Sequence, residues 1–146
     1  MRSVTSITID ASPQRIYTLA HDTLRWPQML PHYRFVRLIE RRGDEDLIEM
    51  AARRHFFPVR WKAIQRNDSL TPAIHFHHIA GWTKGMDVEW RFERTNGTTR
   101  VSIVHDVVFA FPLARRFVEE RIVTKYFIEG IGRRTLSCFK RLAEAR

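Results

Sequence analysis

The feature that most constrains this chain is a long stretch of period-two patterning. Between Tyr33 and Phe111 apolar and polar residues alternate, and the clearest run is Met86 to Glu93. Met86, Val88, Trp90 and Phe92 are large and apolar there, while Asp87, Glu89, Arg91 and Glu93 are charged. Successive side chains of a strand point to opposite faces, so this segment belongs on a sheet with one face buried and the other wet. Turn signals at Gly43-Asp44, Asn67-Asp68-Ser69, Gly81 and Asn96-Gly97 punctuate the stretch, which is read as six strands. Asn-Gly favours a two-residue type I′ hairpin, joining the Met86 strand antiparallel to Val101–Phe109 in a meander.

The flanks are different. Thr5-Ser6-Ile7-Thr8-Ile9 alternates like a further strand, and Ser12-Pro13 supplies a helix cap with proline at the first helical position, opening a short helix through about Ala20. Prolines bracket Trp26-Pro27-Gln28-Met29-Leu30-Pro31 and leave room for one more helical turn. After Pro112 the pattern is helical to the end, with Phe127, Ile131, Thr135, Cys138 and Leu142 on one stripe. Val118, Ile122 and Tyr126 form a stripe on another face, and Gly130 and Gly132 sit where the two phases must be reconciled, which predicts a bend. The expectation is a single α+β domain over residues 1–146: a seven-stranded antiparallel curved sheet around a long C-terminal helix, with two short helices after strand 1. One helix cannot fill a curled sheet, so an internal cavity is expected.

Composition excludes other classes. A chain of 146 residues can bury a real core, and its 44% hydrophobic and 28% charged residues match an ordinary globular domain. The longest apolar run, Val107 to Ala114, is too short to span a membrane, and no signal-like apolar region follows Met1-Arg2-Ser3. Cys138 is the single cysteine, which excludes an internal disulfide and fits a cytoplasmic protein. There is no Gly-rich phosphate loop, no nucleophile elbow and no inward pair of carboxylates, and no cofactor is expected.

The order of elements, with Ala11-Ser12-Pro13, Ile16-Tyr17, Leu19-Ala20, Asp22, Trp26-Pro27, Leu30-Pro31, Gly85-Met86, Trp90 and His105-Asp106, resembles the polyketide cyclase/dehydrase and lipid-transport family. This is the START-like, helix-grip fold, which also includes coenzyme Q-binding proteins and plant pollen allergens. The resemblance covers nearly the whole chain and implies a hydrophobic cavity that holds a polyketide, a lipid or a quinone. In aromatase/cyclase members a cavity strand carries Trp-x-Ser-x-Arg. The matching stretch here is Trp61-Lys62-Ala63-Ile64-Gln65, so the serine and the arginine are replaced by Ala63 and Gln65. An amide donates a hydrogen bond but lacks fixed charge, so cyclase/dehydrase activity stays a candidate beside simple ligand binding.

By alternation Ile74, Phe76 and His78 share the apolar face of their strand, and His75 and His77 point to the wet one, where no third ligand completes a metal site. His105 falls on the inward face with Val101, Ile103 and Val107, whereas Asp106 points away. A buried histidine is either a satisfied core residue or a group that hydrogen-bonds or protonates a ligand. His105, Gln65 and His78 form the expected polar end of the cavity, and Trp61, Met86, Trp90 and Tyr126 its expected walls. The net charge of +9 suggests an anionic partner. Most basic residues lie in scattered pairs. The final helix gathers Arg115, Arg116, Arg121, Lys125, Arg133, Arg134, Lys140 and Arg141, a candidate surface for an anionic membrane or, with less support, for RNA or the ribosome.

Overall fold

A computed structural model describes residues 2–107 and 123–145. Strand β1 (Arg2–Ile9) leads into helix α1 (Pro13–Ala20), whose start is fixed as the sequence predicts. The Ser12 hydroxyl accepts from the Arg15 backbone N–H at 3.2 Å, and Pro13 follows the cap. A 3₁₀ turn (Thr23–Arg25) and the single-turn helix α2 (Trp26–Met29) come next. The Trp26 indole N–H donates to the Ala20 carbonyl at 2.9 Å and pins this connection beneath the sheet.

Six strands then run in sequence: β2 (Tyr33–Arg42), β3 (Glu45–Arg54), β4 (Phe57–Asp68), β5 (Ala73–Gly81), β6 (Asp87–Thr95) and β7 (Thr98–Asp106). With β1 they make one antiparallel sheet in the order β1-β7-β6-β5-β4-β3-β2, so the meander closes by pairing its last strand with the first. Asn96 and Gly97 have φ of 49° and 84°, the left-handed conformations a type I′ turn requires, and Thr95 pairs with Thr98 across them. Strand β7 ends at Asp106 instead of reaching Phe109, and Phe109 and Phe111 lie outside the described residues. The β3–β4 hairpin turns at His55-Phe56, with His55 at φ 55°, a position that no Gly, Pro or Asn marks in the sequence.

The last helix crosses the concave face. It enters as a π-helical turn (Val123–Glu129) and continues as α3 (Gly130–Glu144). Gly130, where a phase change was expected, stands at the π-to-α junction, and a Cβ there would collide with the Arg54 guanidinium. The expected stripe is corrected at its ends. Thr135 and Cys138 are buried, Phe127 and Ile131 are half-buried, and Leu142 is exposed; Leu136, Phe139 and Ala143 carry the rest of the inner face. A π-turn rotates the chain less per residue than an α-helix, so a stripe drawn straight through Phe127 misses the face that α3 presents. Val118 and Ile122, like Arg115, Arg116 and Arg121, lie outside the described residues.

One end of this grip is packed solid. Phe139 is fully buried, with ring centroids 5.9 Å from both Trp26 and Trp90. The end of α3 is tied to the start of the chain: Arg15 Nε donates to the Ala143 carbonyl at 2.8 Å and the Asp10 N–H to Glu144 at 2.8 Å. Thr99 Oγ1 donates to the Ala11 carbonyl at 2.6 Å on the same side.

Candidate ligand-binding cavity

The other end of the grip is hollow. Between the concave face and the start of the last helix lies a cavity of about 540 Å³, a size that suits a drug-like molecule. Its walls are mainly apolar, from Met50, Phe76, Val88, Ile103, Ile128 and Ile131. All four tryptophans of the chain, Trp26, Trp61, Trp82 and Trp90, also line it. Polar atoms come from Tyr33, His78, Thr83, His105 and Thr135, and Arg34 and Arg60 are the lining cations; no carboxylate lines it among the described residues.

The two cavity histidines are held differently. His78 Nδ1 meets Thr83 Oγ1 at 2.8 Å, and its ring stacks on Trp61 at 5.7 Å between centroids with 5° between planes. Burial first, then the neighbouring His105 and His77, push its pKa down to about 3. His105 sits on β7 opposite Val88 of β6, and its buried Nδ1 has no hydrogen-bond partner among the described residues. Burial pushes its pKa down to about 4. Both imidazoles are therefore neutral near pH 7, each able to donate from one nitrogen and accept at the other. Gly132 of α3 faces His105, and a Cβ there would lie 3.7 Å from the ring. A side chain at 132 would therefore pack directly on His105, Thr5 and Ile103.

A second polar group closes the floor. The Thr135 hydroxyl donates to the Ile131 carbonyl at 2.8 Å, so the His32 Nε2–H must be the donor in their 2.8 Å contact. Burial, followed by the charge of Arg134, lowers the pKa of His32 to about 4. Tyr33 is raised above the usual phenol range by burial, against a hydrogen bond to Thr135.

The structure sorts the residues expected from the sequence. Trp61, His78, Met86, Trp90 and His105 all line the cavity, whereas Gln65 and Tyr126 do not. Gln65 points inward, but at the packed end. Its Oε1 accepts from Thr23 Oγ1 at 2.6 Å, and its Nε2 donates to the His21 carbonyl and Asn67 Oδ1, each at 2.9 Å. Both donors are thus committed, and the amide is a strut between β4 and the turn after α1. Tyr126 packs outside, its ring 5.1 Å from the Arg54 guanidinium and 6.4 Å from Phe57, and Phe127 lines the cavity in its place. Trp26 and Trp82 were not expected; the first was read only as part of a proline-bracketed turn, the second as loop. His77 is exposed and contacts Asp87 at 2.7 Å, and Asp106 is exposed on the face opposite His105, both as alternation predicts.

The match to the family model for polyketide cyclase/dehydrase and lipid transport covers residues 9–125, most of the chain, and the protein belongs to that family. Solved structures share the fold over essentially the whole length. The ginseng major latex-like protein 151 from Panax ginseng superposes with a TM-score of 0.83 at 9% identity, covering 99% of this chain and 98% of that one. An aromatase/cyclase from Streptomyces sp. R1128 gives 0.76 at 13% identity, with 99% and 96% covered. A START superfamily protein from Mycobacterium smegmatis gives 0.69 at 10% identity, with 98% and 97% covered. No curated protein sequence is a match. At these identities the likeness establishes the START-type helix-grip fold.

Proposed function

We infer that the protein binds a neutral, hydrophobic, ring-containing small molecule, of the polyketide, quinone or isoprenoid class, in the cavity between sheet and last helix. The observation that carries this reading is an aromatic-lined cavity of about 540 Å³ whose inner polar groups are neutral imidazoles and hydroxyls. Flat rings gain most against Trp61 and Trp90, and a carbonyl or hydroxyl oxygen satisfies His105. Among the described residues, a buried anion would find no fixed positive charge beside His105 and His78, and a buried cation no carboxylate.

Carriage is favoured over cyclase/dehydrase catalysis by the chemistry of the same residues. Ala63 offers no hydroxyl, Gln65 has spent its donors, and among the described residues no carboxylate orients His105 as an acid-base group. The test is displacement of an environment-sensitive dye by naphthoquinones and polyketide mimics. Saturable displacement is expected, weakened roughly 5- to 150-fold in His105→Ala, the cost of about 1–3 kcal/mol for an unmade buried hydrogen bond. No displacement from a folded protein overturns the binding reading. Turnover of a polyketide mimic that falls 10²–10⁴-fold in His105→Ala, with affinity little changed, overturns carriage in favour of catalysis.

A further inference from the structure

The mouth of the cavity is built from two hairpin tips and the π-helical turn. Phe56 is 98% exposed at the tip of β3–β4, Phe57 beside it is 57% exposed, and Trp82, in the loop after β5, is 64% exposed. Among the described residues these are the only exposed Phe, Trp or Tyr side chains, and all three stand at this rim. Two of them are joined through the π-turn, since the ring of Phe127 lies 6.0 Å from Phe57 and 5.5 Å from Trp82, and Phe56 precedes Phe57 at the hairpin tip. A soluble surface does not ordinarily gather its exposed aromatics around one opening.

The segments that carry these rings hold charge of one sign. Residues 50–61, 78–86 and 123–128, which form the rim, contain Arg53, Arg54, Arg60, Lys84 and Lys125 and no Asp or Glu. One of these, Arg60, meets Glu49 at 2.9 Å, as elsewhere Arg41 meets Asp46 at 2.8 Å, Arg42 meets Glu40 at 2.8 Å, and Lys140 on the last helix meets Glu144 at 2.6 Å. Arg53, Lys84 and Lys125 are exposed and have no ion-pair partner among the described residues. Exposed Trp and Phe ringed by unpaired Lys and Arg are the composition that settles at a bilayer interface, rings at the headgroup boundary and cations on acidic headgroups.

We propose that this rim docks on an anionic lipid bilayer, with Phe56 and Trp82 entering the interface and Arg53, Lys84 and Lys125 meeting the headgroups, so that the cavity opens toward the membrane. The surface is the mouth and not the outward face of the last helix. The proposal goes beyond ligand binding and stands without it, because docking needs no occupant in the cavity.

The experiment is sedimentation of the full chain with vesicles of phosphatidylcholine alone and of phosphatidylcholine with phosphatidylglycerol, at low and high salt. Binding is expected to the anionic vesicles, falling with salt, and accompanied by a blue shift in tryptophan emission. Phe56→Ser and Trp82→Ser should each weaken it about tenfold or more, since each removes a large apolar side chain from the interface. Lys84→Ala should weaken it about fivefold, the equivalent of about 1 kcal/mol per cation at an acidic surface. Leu70→Ser is the control: it is 92% exposed, but at the far end of β4, about 40 Å from Phe56. No sedimentation with anionic vesicles overturns the proposal, as does equal weakening by Leu70→Ser. Weakening by Arg134→Ala with Phe56→Ser silent moves the docking surface to the helix and overturns it too. Ligand displacement that fails while docking persists leaves this proposal standing and removes the one above.

Discussion

The two ends of the grip are made from the same strands and differ in what their inward polar groups have to do. At the packed end Gln65 points inward and both its amide donors and its carbonyl are used. At the hollow end His105 points inward from β7 and its Nδ1 is left without a partner. Aromatic rings close the first end, Trp26, Trp90 and Phe139 meeting within 6 Å, and line empty space at the second. A satisfied polar group beside dense packing contributes stability, and an unsatisfied buried one costs it.

The comparison can be broken by mutation, and the largest effect belongs to the packed end. Phe139→Ala should cost about 3–5 kcal/mol in urea unfolding, since a fully buried ring leaves a void between two tryptophans. Ile131→Ala, half-buried at the cavity wall, should cost well under half as much. If the two costs are equal, the ends are not packed differently.

The next effect is acid lability. His32 and His105 fall from 6.5 to about 4 in the folded state and His78 to about 3, each with burial as the first cause. The unfolded chain therefore takes up protons near pH 6.5 that the folded chain refuses. The stability these groups contribute is complete above pH 6.5 and is lost as the pH falls from there toward 4, by roughly 3 kcal/mol for His105 alone. Unfolding midpoints in urea should decline across that window, and His105→Phe should flatten the decline. A midpoint independent of pH between 7 and 4 contradicts the burial of these rings.

A smaller contrast separates the two inward polar groups directly. Gln65→Ala should cost about 1–3 kcal/mol because it orphans the Thr23 hydroxyl, while His105→Phe at neutral pH should stay within about 1 kcal/mol, since it removes a nitrogen that had no partner. The smallest effect is Phe56→Ser, within about 0.5 kcal/mol, because a fully exposed tip residue supports no packing.

Period-two patterning made the seven strands legible, and with them the inward direction of Trp61, His78, Met86, Trp90 and His105. It does not tell which end of an inward row is capped. Gln65 shares its face with Trp61, yet Thr23 and His21 reach it through a 3₁₀ turn that no periodicity announces. The turn at His55-Phe56 was silent because a histidine, not a glycine, takes the positive φ there. Tyr126 was misplaced by the π-turn between Val123 and Glu129, which shifts the phase of the helix without a distinctive sequence, whereas Leu142 lies at the edge of the inner face that Leu136, Phe139 and Ala143 carry. Trp26 and Trp82 lay in segments read as turn and loop, although four tryptophans in a domain with a curled sheet were themselves a signal.

The central claim is that the hollow end holds a flat, neutral ligand, and the tryptophans make it directly measurable because all four line the cavity. Tryptophan fluorescence should be titrated with a naphthoquinone in the unmodified protein and in Gly132→Leu, whose side chain projects into the cavity beside His105 while favouring the helix. The account predicts saturable quenching at one quinone per chain, lost in Gly132→Leu while that variant still unfolds cooperatively. Quenching that never saturates, or that is the same in both proteins, contradicts it.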